Sequence, residues 1–206
     1  MIKNVIFDIG NVLVNFQPLD VMRECGVKEE DLERFRLATV AGKWWAAWDR
    51  GEEDYHFLWK MMREELTGLE EEFDRFISEG KKDLVVTLDY AKPWLQELKA
   101  QGMRVFLLSN YPKELFEIHS KDMDFLPYVD GRIVSGYVKC MKPESEIYRL
   151  LLDTYQLIPE ESVFFDDLES NIRAAEKEGI HGIVFRGPEQ ARLDLDRLIR
   201  AELLKG

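Results

Sequence analysis

Four short apolar runs, each stopped abruptly by polar or glycine residues, constrain this chain more than any other feature. They are Val5-Ile6-Phe7 before Asp8 and Gly10, Val105-Phe106-Leu107-Leu108 before Ser109-Asn110, Val163-Phe164-Phe165 before Asp166-Asp167, and Ile183-Val184-Phe185 before Arg186-Gly187. Such runs lack the alternation of a half-exposed strand and suit strands buried on both faces. Ile133-Val134 before Ser135-Gly136 is a weaker fifth. Amphipathic helices lie between them. Pro93 opens one with Trp94, Leu95 and Leu98 before Gly102; Pro143 opens another with Ile147, Leu150, Leu151 and Tyr155; Ile172 and Ala175 mark a third that stops at Gly179. Buried strands alternating with helices predict an α/β fold, a three-layer doubly wound parallel sheet with right-handed crossovers.

Residues 17 to 88 break this rhythm. They hold helical patterns such as Leu58, Met61, Met62 and Leu66, and the stretch Trp44-Trp45-Ala46-Ala47-Trp48, but no convincing strand. The expected division is a core of residues 1–16 and 89–206 with a small all-helical cap, residues 17–88, seated over the carboxyl edge of the sheet. A length of 206 residues suits one domain with such an insert. The 28 Lys and Arg against 40 Asp and Glu give a net charge of -12, which disfavours a nucleic-acid partner. A small phosphorylated metabolite stays open, because a few cationic groups inside a cleft outweigh the mean field. Cys25 and Cys140 show no metal-ligand spacing and read as free thiols of a reducing compartment. Asp8 interrupts the amino terminus before any long apolar run, so neither a signal peptide nor a membrane span is expected. The expectation is a cytoplasmic monomer or weak homodimer with no membrane partner.

In open α/β sheets, ligands bind beyond the carboxyl ends of the strands. If the strands are neighbours, Asp8, Ser109-Asn110, Asp166-Asp167 and the Lys142 that precedes Pro143 converge on one small volume. Crowded carboxylates raise the cost of ionising one another, so something must neutralise them. Oxygen donors without His or Cys favour a hard cation. Mg²⁺ takes one or two carboxylates and leaves positions for water or phosphate oxygens.

Phe7-Asp8-Ile9-Gly10-Asn11-Val12, Leu108-Ser109-Asn110, Met141-Lys142-Pro143-Glu144 and Phe165-Asp166-Asp167 through Asn171-Ile172 resemble, in order and spacing, the four motifs of the haloacid dehalogenase superfamily. Trp48-Asp49-Arg50-Gly51-Glu52 resembles the cap of its small-helical-cap branch, and the Gly-Asn after the nucleophile is similar to the group that includes bacterial alpha-D-glucose-1-phosphate phosphatase. The resemblance covers essentially the whole chain. It implies a Rossmann-like core and a Mg²⁺-dependent phosphatase of a small phosphorylated metabolite, sugar phosphates included, working through an aspartyl phosphate. Asp8 would be nucleophile and metal ligand, Gly10 a ligand through its carbonyl, and Asp167 a ligand through its carboxylate. Asp166 would ligate directly or through water. Ser109 and the Asn110 amide would hold phosphoryl oxygens, Lys142 would offset charge, and Asn171 would orient the Lys142 loop or the metal ligands.

One departure matters. Most phosphatases of this kind place a second Asp, the acid that protonates the leaving oxygen, where this chain has Gly10. Such an acid is worth about 10² to 10⁴ in rate. A cap residue could supply the proton, with His56, Glu52, Glu53 or Asp54 as candidates; water could; or the substrate could leave without it, as anomeric phosphates do more readily than simple alcohol esters. Phosphonatase and dehalogenase relatives also lack that Asp. The doubled Asp166-Asp167 argues against the metal-free dehalogenase, and the cap lysines Lys28, Lys43 and Lys60 carry no signature of a Schiff base. Carbon–phosphorus or carbon–halogen cleavage on the same Asp nucleophile stays as a second reading, and a non-catalytic phosphometabolite-binding protein as a third. Trp44, Trp45 and Trp48 divide between cap core and substrate contact, while His119 and His181 read as structural or surface residues.

Overall fold

The computed structural model describes residues 1–204. Seven strands run β1 (Asn4–Phe7), β2 (Val14–Phe16), β3 (Val85–Thr87), β4 (Arg104–Ser109), β5 (Gly131–Val134), β6 (Ser162–Asp166) and β7 (His181–Val184). Five of them form one parallel sheet in the order β5-β4-β1-β6-β7. The expected doubly wound parallel sheet is therefore present. β1 lies at its centre, with Phe7 level with Leu107 on one side and Phe165 on the other, so the residues that follow these three emerge together at one edge.

The strands are apolar throughout because both faces are covered. Val5, Phe7, Val105, Leu107, Val163 and Phe165 point to one side, where they meet Trp94, Leu95 and Leu98 of α6 (Ala91–Ala100) and Leu195 of α11 (Pro188–Leu203). Ile6, Phe106, Leu108 and Phe164 point to the other, against α9 (Ser145–Tyr155) and α10 (Glu169–Lys177). Phe7 and Phe165 stack at 5.2 Å and Trp94 meets Phe7 edge-on at 4.9 Å, pairings that add about 0.5–1.5 kcal/mol each beyond their buried area. Two short helices complete the core, α7 (Lys113–His119) and α8 (Ser135–Val138).

Five helices lie between β2 and β3: α1 (Pro18–Glu24), α2 (Leu32–Ala38), α3 (Lys43–Arg50), α4 (Tyr55–Glu65) and α5 (Glu70–Ser78). The expectation that residues 17 to 88 hold no strand needs correction. β3 pairs antiparallel with β2, Val14 opposite Thr87 and Phe16 opposite Val85, and forms a two-stranded stem beneath the helices. A three-residue strand is shorter than periodicity can register. Both proline expectations shift as well, since α6 starts two residues before Pro93 and α9 two residues after Pro143. Cys25 and Cys140 are free and buried. Among the described residues, no helix is long and apolar enough to cross a membrane.

Candidate active site

The carboxyl edge of the sheet gathers the polar strand ends. Asp8 follows β1 and is almost wholly buried; its Oδ1 accepts from the Ile9 amide at 2.7 Å and the Ser109 hydroxyl at 2.7 Å, and lies 2.9 Å from Lys142 Nζ. Lys142 is 2% exposed and reaches from its loop to bridge Asp8 and Asp166, whose Oδ2 accepts at 2.6 Å. The Phe164 ring beneath the ammonium, 5.3 Å to its centroid, gives the charge a further favourable contact. Burial by itself would lower the lysine's pKa, but the two carboxylates outweigh it and hold the pKa above its ordinary value. Burial pushes the Asp8 carboxyl up, with Lys142 opposing. The result is a largely buried knot in which one ammonium faces two carboxylates, so negative charge is left over.

Asp166 is fully buried and its oxygens are engaged by Lys142 Nζ, by Asn171 Nδ2 at 3.0 Å and by the Leu168 amide at 2.8 Å. Asn171 thus grips Asp166 directly. The Asn110 side chain clamps the Lys142 loop, accepting from the Lys142 amide at 2.8 Å and donating to its carbonyl at 2.9 Å. Asp167 is half-buried and accepts from Asn11 Nδ2 at 3.1 Å, with Asn11 held at φ 55°, a left-handed turn that asparagine tolerates better than most residues. Asp8, Asp166 and Asp167 can each offer one carboxylate oxygen, all within 4.8 Å of one another. An all-oxygen donor set of this charge fits a hard divalent cation.

A cavity of about 170 Å³ opens from this knot, with Asp8, Gly10, Ser109 and Asn110 at its floor. Its apolar wall comes from Phe16, Leu84 and Val85 on the stem side and Val40 and Trp45 on the insert. Asp49, at the end of α3, also lines it, and burial together with the Asp8 charge pushes its carboxyl up to about 8. Tyr111 and His119 complete the wall. His119 Nε2 lies 2.7 Å from the Lys81 carbonyl, which can only accept, so Nε2 carries the proton and Nδ1 accepts from the Tyr111 hydroxyl at 2.6 Å. Burial keeps this imidazole's pKa below its ordinary value.

The insert is docked over this cavity by polar contacts. Arg50 pairs in a fork with Glu144, two residues beyond Lys142, with Nη1 to Oε2 at 2.8 Å. Trp48 Nε1 donates to Glu114 Oε2 of α7 at 2.8 Å, and the buried Ser135 hydroxyl donates to the Asp49 carbonyl. Gly51 ends α3 at φ 70° hard against Gly136, where a Cβ would come within 2.5 Å of the Gly136 carbonyl. The insert and the Lys142 loop are thereby tied together.

Asp8, Ser109, Asn110, Lys142, Asp166 and Asp167 come together as the motif spacing suggests. The proposed stand-ins for the missing acid do not. Glu52 is an exposed partner of Arg50, Asp54 caps α4 through the His56 and Phe57 amides, and Glu53 and His56 are exposed. None of these lines the cavity. Of the tryptophans, Trp45 does; Trp48 is insert core, and Trp44 donates to Glu65 on the outer surface. His181 is a surface residue near the Glu160 carbonyl, whereas His119 sits in the cavity wall. Asp49 was missed, although an acid one turn after Trp45 and next to Trp48, on the buried stripe of an amphipathic helix, is the kind of anomaly that marks a site.

Residues 2–179 match the family described as hydrolase, haloacid dehalogenase-like hydrolase. The chain belongs to the haloacid dehalogenase-like hydrolases. Within the curated proteins, this hydrolase is 28% identical over 190 residues to the phosphorylated carbohydrates phosphatase of Thermotoga maritima, covering 87% of this chain and 82% of that one. It is 26% identical to the sesquiterpene phosphatase astK of Aspergillus oryzae, over 96% of each chain. Other relatives are longer proteins, of which it spans 38% in one case and 24% in another. A HAD family enzyme of Bacteroides thetaiotaomicron, solved with magnesium and inorganic phosphate, superposes with a TM-score of 0.71 at 23% identity, over 94% of this chain and 99% of that one.

Proposed function

We propose that this hydrolase is a Mg²⁺-dependent phosphatase that removes the phosphoryl group of a small phosphorylated metabolite through a phosphoryl-Asp8 intermediate. The observation that carries the reading is the Asp8 geometry. Its Oδ1 is held by three donors, Oδ2 has no hydrogen bond among the described residues, and the residue lines the cavity. Oδ2 attacks phosphorus; the Ser109 hydroxyl and the Asn110 main-chain amide hold phosphoryl oxygens; Lys142 balances charge on nucleophile and phosphoryl group alike. Asp8, the Gly10 carbonyl and Asp167 would hold the cation, with Asp166 behind them. Bound there, Mg²⁺ would offset the charge of the phosphoryl oxygens. Helices α1 to α5 act as the cap, residues 17–88 in outline, which covers the cavity and keeps water from it.

The phosphatase names of the Thermotoga and Aspergillus relatives support phosphomonoesters, with phosphorylated carbohydrates the first class to assay. The two free buried thiols support a reducing, cytoplasmic setting. The test is hydrolysis of a panel of phosphorylated metabolites with Mg²⁺, with chelator, and with Asp8→Asn. Phosphate release that needs the metal and vanishes with Asp8→Asn is expected. Turnover that persists in chelator, or survives Asp8→Asn, would overturn the reading.

A further inference from the structure

The missing acid leaves a chemical gap, because the oxygen that departs from phosphorus needs a proton when the alcohol is a poor leaving group. Four polar side chains of the cavity have partners that account for them. The Ser109 hydroxyl donates to Asp8, the Asn110 side chain is bound to the Lys142 backbone, the Tyr111 hydroxyl donates to His119, and His119 gives its Nε2 proton to the Lys81 carbonyl. Asp49 lines the same cavity, and its carboxyl makes no hydrogen bond or ion pair among the described residues. Its main chain, by contrast, is fixed: the Ser135 hydroxyl holds its carbonyl, and its neighbours Trp48 and Arg50 are bound to Glu114 and Glu144. The side chain is therefore carried on a rigid helix end and left free to address what enters the cavity.

We propose that Asp49 is the proton donor to the leaving oxygen, taking from the cap the role that Gly10 leaves vacant in the core. This rests on the phosphatase reading above. Asp8 Oδ2 bonds to phosphorus as the phosphorus–ester oxygen bond breaks; the ester oxygen keeps the bonding pair and takes the Asp49 proton, leaving as an alcohol. Asp49, now a carboxylate, accepts a proton from the water that attacks the phosphoryl-Asp8. The phosphorus–Asp8 bond then breaks, releasing inorganic phosphate and returning both carboxyl groups to their starting states. Burial favours the protonated form this requires, and the Asp8 charge adds to it while Lys142 opposes. Burial holds the Tyr111 hydroxyl's pKa above its ordinary value and the His119 imidazole's below it.

A donor of this kind leaves a signature that a structural role does not. Asp49→Asn keeps the shape and removes the proton, so kcat/KM should fall about 10² to 10⁴-fold on alkyl phosphates and by less than about 3-fold on 2,4-dinitrophenyl phosphate, whose phenolate leaves unaided. Retained aryl turnover also shows that the variant is folded, and Asp49→Glu should recover part of the alkyl activity. Equal losses on both esters, no loss on alkyl esters, or a wild-type enzyme confined to aryl esters would each overturn the assignment. Failure of the phosphatase reading looks different: the wild type would then release phosphate from no ester at all.

Discussion

Lys142→Met removes the cation at the centre of the site and leaves the side chain's bulk in place. In the wild type the ammonium lies 2.9 Å from Asp8 and 2.6 Å from Asp166, all three largely shielded from water. At an effective dielectric of about 20, each contact is worth about 6 kcal/mol of attraction. Desolvation of the ions consumes several kcal/mol apiece, so the net value of the triad is small. Breaking it is another matter: the two carboxylates are then stranded together without a counter-ion. The expected loss is about 3–5 kcal/mol of folding free energy, a large part of the roughly 5–15 kcal/mol that a domain possesses. Equilibrium guanidinium unfolding without added metal measures it. Adding Asp166→Asn to Lys142→Met deletes one stranded charge and should restore about half of the loss. A Lys142→Met protein within about 1 kcal/mol of wild type would refute the reasoning, since it would mean that the carboxylates do not depend on that ammonium.

Gly51→Ala puts a Cβ against the Gly136 carbonyl at a positive φ, so thermal unfolding should show a loss of about 1–3 kcal/mol. Arg50→Met, by contrast, breaks a pair whose side chains keep 25% and 40% exposure, and stability should change by less than about 1 kcal/mol. Its turnover should fall about tenfold all the same, because the pair ties the cap to the Lys142 loop; steady-state kinetics beside a melting curve separates the two effects. Burial lowers the His119 pKa below 6.5, so the unfolded chain binds its proton first. The contribution of neutral His119 is present above about pH 6.5 and is lost as pH falls below it, by at most about 1.4 kcal/mol per pH unit. His119→Gln should flatten the acid side of the stability profile.

The sheet was legible because burial on both faces leaves a mark in the sequence: Val5 to Phe7, Val105 to Leu108 and Val163 to Phe165 are apolar without a break, and each stops at a polar residue of the site. Asp8, Lys142 and Asp166 could be named for the same reason, as polar residues at the ends of such runs or just before a helix. β3 was not legible, because three residues of a stem that exists only through pairing with β2 carry no period of their own. Asp49 was hidden differently. The acids from Glu52 to Asp54 form the conspicuous cluster, but they sit beyond Gly51, where the chain turns out to solvent, while Asp49 is still on the helix and faces inward. The direction of a side chain at a helix end depends on how the helix is docked, here through Ser135, Glu114 and Glu144, residues far away in the chain.

In the proposed reaction Asp8 carries the phosphoryl group. Acid quenching of the enzyme during turnover, followed by mass analysis of the peptide that contains Asp8, tests it most directly. One phosphoryl group on Asp8, labile to hydroxylamine and formed only with Mg²⁺ present, is the expected result. An unmodified Asp8 peptide from an enzyme that is turning over, with activity preserved in Asp8→Asn, would contradict it.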